Sequence, residues 1–455
     1  MKFIAPVEKN KTYEVTIEDL TYQGMGVAKI ENFPIFIANS LPGERIEMGV
    51  TKVQKTYAFG RVVKVIKESP DRVEGSGVEY TQTGIAPLQN LAYLAQLKFK
   101  QQQIQNLLNK DHLDDIKVDE TIGMENPTEY RNKAQIPVRN VQGELSTGFF
   151  RRNSHDLIPI EDFYIQDPVI DKVILQVRDL LRRFHVTAYD ERNNSGVIRN
   201  VIVRRGYYSH EIMVVLVTRT MTIPGQKALV EEISKIDGVV SIVQNINSRP
   251  TNVIMGPKDN VLWGEAVIHD ELMGLKFMIS AHSFYQVNPV QTEKLYQLAI
   301  EKADLKGNET VVDAYSGIGT ISLAVAKHVK KVYGVEVVKE AVQDAKLNAS
   351  LNDIENVKFI TDKAERQMAK WESDGLKPDV VFVDPPRKGL APEVIDSIAD
   401  MKPKKIVYIS CNPATLVRDI QLFSDHEYEV TGDIQPVDQF PQTPHVESIT
   451  VLTAK

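Results

Sequence analysis

The chain holds a single cysteine, Cys411, and its surroundings are those of a reactive thiol. A lone cysteine is more often a small buried hydrophobe. Cys411, however, lies in the polar run Ser410-Cys411-Asn412-Pro413-Ala414-Thr415, directly behind the apolar stretch Lys405-Ile406-Val407-Tyr408-Ile409. A structural thiol belongs inside a strand or on an apolar helix face, whereas one in a polar loop at a strand end is placed to act as a nucleophile. Being alone, it excludes intramolecular disulfides and Cys-based zinc or iron–sulfur sites, and no metal centre is expected. Covalent catalysis also needs a group that moves a proton. The candidate general base is Glu447, in Pro444-His445-Val446-Glu447-Ser448-Ile449, at the start of the last apolar stretch. Without the other motifs it reads as an ordinary strand-end acid.

Further acids stand where a nucleoside cofactor would need them. Asp313-Ala314-Tyr315-Ser316-Gly317-Ile318-Gly319 puts a flexible turn behind the apolar stretch Thr310-Val311-Val312, with Gly317 where backbone must approach a ligand closely. Glu336 follows Gly317 by nineteen residues, a spacing that lets a carboxylate accept the ribose hydroxyls of an adenosine. A nicotinamide cofactor fits those two features as well, but the run lacks the third glycine of the dinucleotide fingerprint. Asp362 is placed to receive an adenine amino group, or is a plain helix cap. In Asp384-Pro385-Pro386-Arg387 two prolines stiffen the loop that presents Asp384. Such acid-Pro-Pro loops are frequent in methyltransferases that act on planar nitrogenous rings.

These residues need a scaffold, and from about residue 284 the text alternates strand and helix. Strands are expected at 310–314, 331–336, 357–360, 378–384 and 405–410, and helices at 320–328 and 339–350. That alternation implies a doubly wound sheet with its ligand at the C-terminal strand ends, where every motif above falls. The domain is assigned to residues 284–455. Residues 1–67 read as five short strands of a small oligonucleotide-binding (OB-fold) barrel. Tyr22, Phe33, Phe36, Tyr57 and Phe59 there either stack on bases or fill the core, with Lys52 and Lys55 beside them. Residues 68–283 form a central α+β region, beginning with a helix over 88–115 expected to pack on the catalytic domain. The pairs Arg131/Lys133, Arg151-Arg152 and Arg204-Arg205 suit phosphate contact or a solvated strand face.

Composition sets the outer bounds. At 455 residues, 42% hydrophobic and 25% charged, the chain is a multidomain α/β protein of ordinary globular make-up. No run is apolar enough to span a bilayer, and the N-terminus lacks a signal-peptide core, so a cytoplasmic location without a membrane partner is expected. The net charge is −7, yet residues 1–67 carry +3, which leaves a local basic face for a polyanion.

Phe284-Tyr285-Gln286-Val287-Asn288, Asp313–Gly319, Asp384–Arg387, Ser410–Thr415 and His445–Glu447 together, in order and spacing, resemble the RNA uracil-5-methyltransferase family. The barrel resembles the TRAM domain that precedes the ribosomal RNA branch. The resemblance implies a Rossmann-like catalytic domain, S-adenosylmethionine as cofactor, Cys411 as nucleophile and Glu447 as general base. It matches Gln286, Tyr315, Glu336 and Asp384 to cofactor positions, Asp362 less closely, and lets Gln286 and Asp384 also orient the uracil. The chemistry accounts for the thiol. Uracil C5 is a weak nucleophile until a thiolate adds at C6, and a base must then remove the C5 proton, a step worth roughly 10²–10⁴ in rate. The target base must be flipped out or unpaired. Many relatives carry a four-cysteine iron–sulfur site after the barrel; residues 70–95 here contain no cysteine. The cluster-free form with a TRAM barrel looks most like Gram-positive 23S rRNA uracil-5-methyltransferases, some of which modify two uridines. The expected partner is therefore 23S rRNA, with no obligate protein partner evident. A tRNA T-loop enzyme of the same chemistry and a non-catalytic RNA-binding factor are the alternatives.

Overall fold

The computed structural model describes residues 5–455. Three large sheets follow one another along the chain, with a two-stranded hairpin between the second and third. The first is a six-stranded barrel in the order Thr12–Thr16, Arg45–Val53, Ala58–Lys67, Phe33–Ala38, Gly26–Ile30, Asp19–Leu20. Five strands match the expectation from sequence; the sixth, Asp19–Leu20, is two residues long and too short to carry a pattern. Alternation drives its closure. Phe33, Ile35 and Ile37 face inward against Ile46, Met48 and Val50. Of Tyr22, Phe33, Phe36, Tyr57 and Phe59, only Phe33 is in that core. Tyr22 is 75% exposed.

The central sheet has seven strands, with helices Pro168–Arg183 and Gln226–Ile233 on one face. Val201, Val203, Val214 and Leu216 pack under those helices. Ile202, Met213, Val215 and Val217 point the other way, into the catalytic domain. Both faces are covered, which is why Ile212–Thr218 is buried at every residue. The hairpin Val267–Leu272 and Leu275–Ser280 joins the same core, so the catalytic fold begins to gather its apolar contacts ahead of residue 284.

The catalytic sheet runs in the order Val357–Thr361, Lys331–Glu336, Thr310–Asp313, Val380–Val383, Lys405–Ser410, Glu447–Ala454, Tyr428–Val430, with Gln435–Val437 paired to Glu447–Ala454. The first five strands are parallel and joined through helices. Their C-terminal ends therefore lie at one edge of the sheet. Glu447–Ala454 runs antiparallel and enters from that same edge. The helix expected over 88–115 spans Tyr93–Lys110; it starts after the isolated bridge that ties Leu91 to Arg72, and Asp111 closes it before His112 turns to positive φ. Ile104 and Leu108 of that helix lie in the core formed with the catalytic sheet. Among the described residues, no helix is long and apolar enough to cross a membrane.

Candidate active site

Strand register brings Cys411 and Glu447 together. Ser410 is the partner of Ser448 in the last pair of the antiparallel ladder, so Cys411 and Glu447 are the next residues at its end, close enough for the Glu447 carboxyl to act on the Cys411 thiol. The loop behind Cys411 is held in place. Asn412 caps the helix Pro413–Asp425 by accepting from Ala414 N at 3.2 Å, and its Nδ2 donates to the Arg387 carbonyl at 2.7 Å. One asparagine thus ties the cysteine loop to the Asp384–Arg387 loop. The Asn-Pro pair at a helix start is the signal by which sequence could have found it.

The site is a set of acids withdrawn from water. Cys411 is half-buried, and burial, then the carboxyls of Glu447 and Asp384, push its thiol up to about 12; Arg387 opposes them. Burial, then Asp384, holds Glu447 well above the usual carboxylate range, again against Arg387. Asp384 itself is pushed up to about 7 by burial and by Asp313. Asp313, at about 6, is buried and accepts from Ser322 Oγ at 2.5 Å and Tyr315 N at 3.2 Å. These mutual influences place Cys411, Glu447, Asp384 and Arg387 in one electrostatic neighbourhood.

The neighbouring strand ends carry groups that could hold a nucleoside. Gly317 has φ +52°, a conformation that favours glycine, and a Cβ built there meets open space. Its N–H donates to Glu336 Oε2 at 3.1 Å, while Glu336 Oε1 accepts from Val338 N at 2.8 Å. Val337, next to Glu336, is 60% exposed, an apolar surface beside a polar carboxylate. Ser316 Oγ is buried without a hydrogen-bond partner. An orphaned hydroxyl, an open glycine turn and a carboxylate at the second strand end fit S-adenosylmethionine. Gln286 reaches the Tyr296 hydroxyl, which lies near Asp384 and 3.3 Å from Thr320 Oγ1. Tyr296 is a site residue that sequence did not single out, because it sits in an ordinary apolar helix stripe, Pro289–Ala303. Tyr315 is half-buried in the turn beside Gly317. Asp362 lies one strand further out. Its backbone meets the Glu336 carbonyl, but its carboxylate is engaged by Arg366 at 2.5 Å, which holds it below its usual range.

Parallel strands with acids at the C-terminal ends of the first four and a thiol at that of the fifth define a methyltransferase of the doubly wound class. The particular family follows from comparison. Residues 92–455 match the family model for tRNA (uracil-5-)-methyltransferase, and residues 6–63 match that for the TRAM domain. The chain belongs to this family: it is an S-adenosylmethionine-dependent RNA (uracil-5-)-methyltransferase with an N-terminal TRAM domain. It is 61% identical to a Lactiplantibacillus plantarum protein described as an uncharacterized RNA methyltransferase, over 99% of both chains. An Enterococcus faecalis protein with the same description is 53% identical, over 98% of each. The tRNA (uracil-54, C5)-methyltransferase of Pyrococcus abyssi, solved with S-adenosyl-L-homocysteine, superposes with TM-score 0.76 at 24% identity, covering 97% of this chain and 99% of that one. The likeness extends to the fold of all three parts, the barrel included.

Proposed function

We propose that this enzyme methylates C5 of one or two uridines in 23S rRNA, with Cys411 as nucleophile and Glu447 as general base. The observation that carries the mechanism is the strand ladder that ends at Ser410 and Ser448 and leaves Cys411 and Glu447 side by side at its end, within electrostatic reach of each other. Cys411, its thiol proton given up to solvent, adds as the thiolate to C6 of a flipped-out uracil, and the C5–C6 π electrons move to C5 and the C4 carbonyl. Bound S-adenosylmethionine would supply the electrophilic methyl group that C5 takes, with S-adenosylhomocysteine as the leaving group. Glu447 then removes the C5 proton, the C5–C6 double bond re-forms and the C6–S bond breaks. A carboxylate with a raised pKa is a stronger base once deprotonated, which suits a carbon acid. Gln286, Tyr315, Gly317, Glu336, Asp362 and Asp384 form the cofactor side, Asp362 in the outermost place because Arg366 competes for it. In this reading residues 1–67, 68–283 and 284–455 divide the work into RNA capture, RNA recognition and chemistry, in the cytoplasm, without an iron–sulfur cluster or obligate protein partner.

The ribosomal target rests on the combination of a TRAM barrel with a chain that has no cysteines for a cluster. A tRNA target is the second reading, favoured by the Pyrococcus abyssi enzyme, which shares the barrel as well as the catalytic fold. Fragments of 23S rRNA and a tRNA, each carrying 5-fluorouridine, distinguish the two. Fluorine cannot leave as a proton does, so the enzyme is expected to freeze as a methylated protein–rRNA adduct through Cys411. An adduct on tRNA alone moves the target to tRNA and keeps the chemistry. No adduct on either RNA, from enzyme that methylates the unmodified RNA, removes the covalent mechanism.

A further inference from the structure

Buried cations in this protein are otherwise provided for. Lys100 pairs with Asp438, both fully buried, and Arg199 donates to three carbonyl oxygens, of Asn247, Arg249 and Thr251. One cluster departs from that rule. Strands Lys133–Val141 and Ile198–Arg205 run antiparallel with Lys133 opposite Arg204. Like charges in that relation repel. Arg204 is only 4% exposed, and its Nε has no hydrogen-bond partner; its Nη2 donates to the Ser283 carbonyl. Lys133 makes no ion pair among the described residues, and Arg131 adds a further positive charge. The nearby Asp167 does not relieve them, since it is taken by Arg205 at 2.5 Å.

A desolvated, unneutralised cation pair is costly, and an orphaned buried donor adds to the cost. Burial, then Arg204 and Arg131, pulls the Lys133 amine down to about 7, the same strain seen from the proton's side. Between Lys133, Arg204, Arg205 and Tyr285 lies a cavity of about 10 Å³, room for one water-sized atom. Its position is informative. Asn132, next to Lys133, donates through Nδ2 to the Gln286 carbonyl at 3.1 Å and through its backbone N to Val287 at 2.9 Å. The cavity therefore backs onto the segment that carries Gln286 and Phe284, which is 71% exposed.

We propose that Lys133 and Arg204 form an anion site for a phosphodiester of the RNA substrate, one nonbridging oxygen entering the cavity and meeting Lys133 Nζ and Arg204 Nε. The contact is to backbone and carries no sequence information, so it serves a ribosomal or a transfer RNA equally and fixes how the strand lies past Gln286. It does not depend on which RNA is modified or on the roles of Cys411 and Glu447.

Lys133→Met separates this role from a structural one, because the two move stability in opposite directions. In phosphate-free buffer the variant is expected to melt several degrees above wild type, having lost an unpaired charge. Added inorganic phosphate raises the Tm of wild type and leaves that of the variant unchanged. Binding to a tRNA transcript and a 23S rRNA fragment, measured against salt with S-adenosylhomocysteine present, weakens about tenfold, and the log–log salt slope falls by roughly 0.7–0.9, one phosphate contact. Lys133→Arg restores the slope. A lower Tm for Lys133→Met in phosphate-free buffer overturns the site. A phosphate response in wild type with an unaltered RNA salt slope leaves a free-anion site and overturns its assignment to RNA.

Discussion

In the proposed mechanism Cys411 and Glu447 meet opposite demands in one dry corner. The thiol loses its proton to attack and the carboxylate gains one, yet burial disfavours the charged form of both, with Arg387 the nearby charge that favours ionisation of each. Removing either group therefore stops the reaction at a different point. Cys411→Ala is expected to abolish both methylation and covalent capture. Glu447→Gln is expected to lower turnover by roughly 10²–10⁴ while a methylated RNA–protein adduct accumulates on ordinary uridine. A denaturing gel reads the difference; loss of turnover without an adduct in Glu447→Gln would assign proton removal to another group. Asp384 makes a second residue-scale prediction. Its carboxyl sits at about 7 against an ordinary value of 3.8. Between those values the folded protein holds a proton that the unfolded chain releases, so the stability tied to this group is full below 3.8 and declines as pH rises to 7. Asparagine cannot ionise. Thermal melts of Asp384→Asn should gain on wild type from pH 4 to 7 and hold a constant margin above, while methyl transfer is lost; a margin that shrinks with rising pH contradicts the buried, raised carboxyl.

At the scale of elements, Glu447 depends on a helix far from it in sequence. Tyr93, Gln96, Lys100 and Gln103 lie along one stripe of the helix Tyr93–Lys110 and grip the segment that leads into Glu447. Tyr93 and Lys100 bind Asp438, Gln96 exchanges two hydrogen bonds of 3.0 Å with Gln442, and Gln103 donates to the Pro444 carbonyl at 3.1 Å. Breaking a fully buried ion pair from one side costs about 3–5 kcal/mol, so Lys100→Met alone should lower the Tm sharply. Replacing both, Lys100→Met with Asp438→Leu, removes the stranded charge and is expected to fold close to wild-type stability. Its turnover should still fall, about 10² for a base displaced by an ångström, with the adduct build-up of Glu447→Gln. Wild-type turnover in a stable double variant would show that the brace serves folding alone. This stripe explains the limits of what could be read beforehand. The five parallel strands and their loops were legible because each apolar run ends on its own motif, local in sequence. The helix was legible as a helix, and its packing on the catalytic domain as an expectation. Its grip on residues 438–444 was not, since Gln and Lys on a helix look like a solvated face until a loop over 300 residues away closes on them. Tyr296 was hidden for the same reason.

For the whole molecule, the question is what the barrel contributes to a reaction whose proposed chemistry lies in residues 284–455. It is docked rather than tethered. Leu20 and Leu41 pack with Leu91, Ala95 and Phe99 at the start of the bracing helix, and the buried Glu44 pairs with Arg72. On its outer face Phe36 and Phe59 are strand partners, with Tyr57 against both at ring separations of 5.6 and 5.5 Å. These three rings are half-buried and outside the barrel core, in a domain whose charge runs opposite to that of the rest of the chain. Rings of that kind stack on bases at about 1–3 kcal/mol each, without regard to sequence. Phe59→Ala in the full chain is expected to leave the Tm within about 1 °C, because it opens no core cavity, and to raise KM for long folded RNA by roughly 5- to 150-fold at constant kcat. A short uridine oligonucleotide, too small to reach both barrel and active site, should be methylated at the wild-type rate. If KM for the long RNA is unchanged, this face does not touch the substrate and the barrel's hold on it lies elsewhere. If kcat falls for the short substrate as well, the barrel acts through the bracing helix on Glu447, and capture and chemistry are coupled through Leu91 and Phe99.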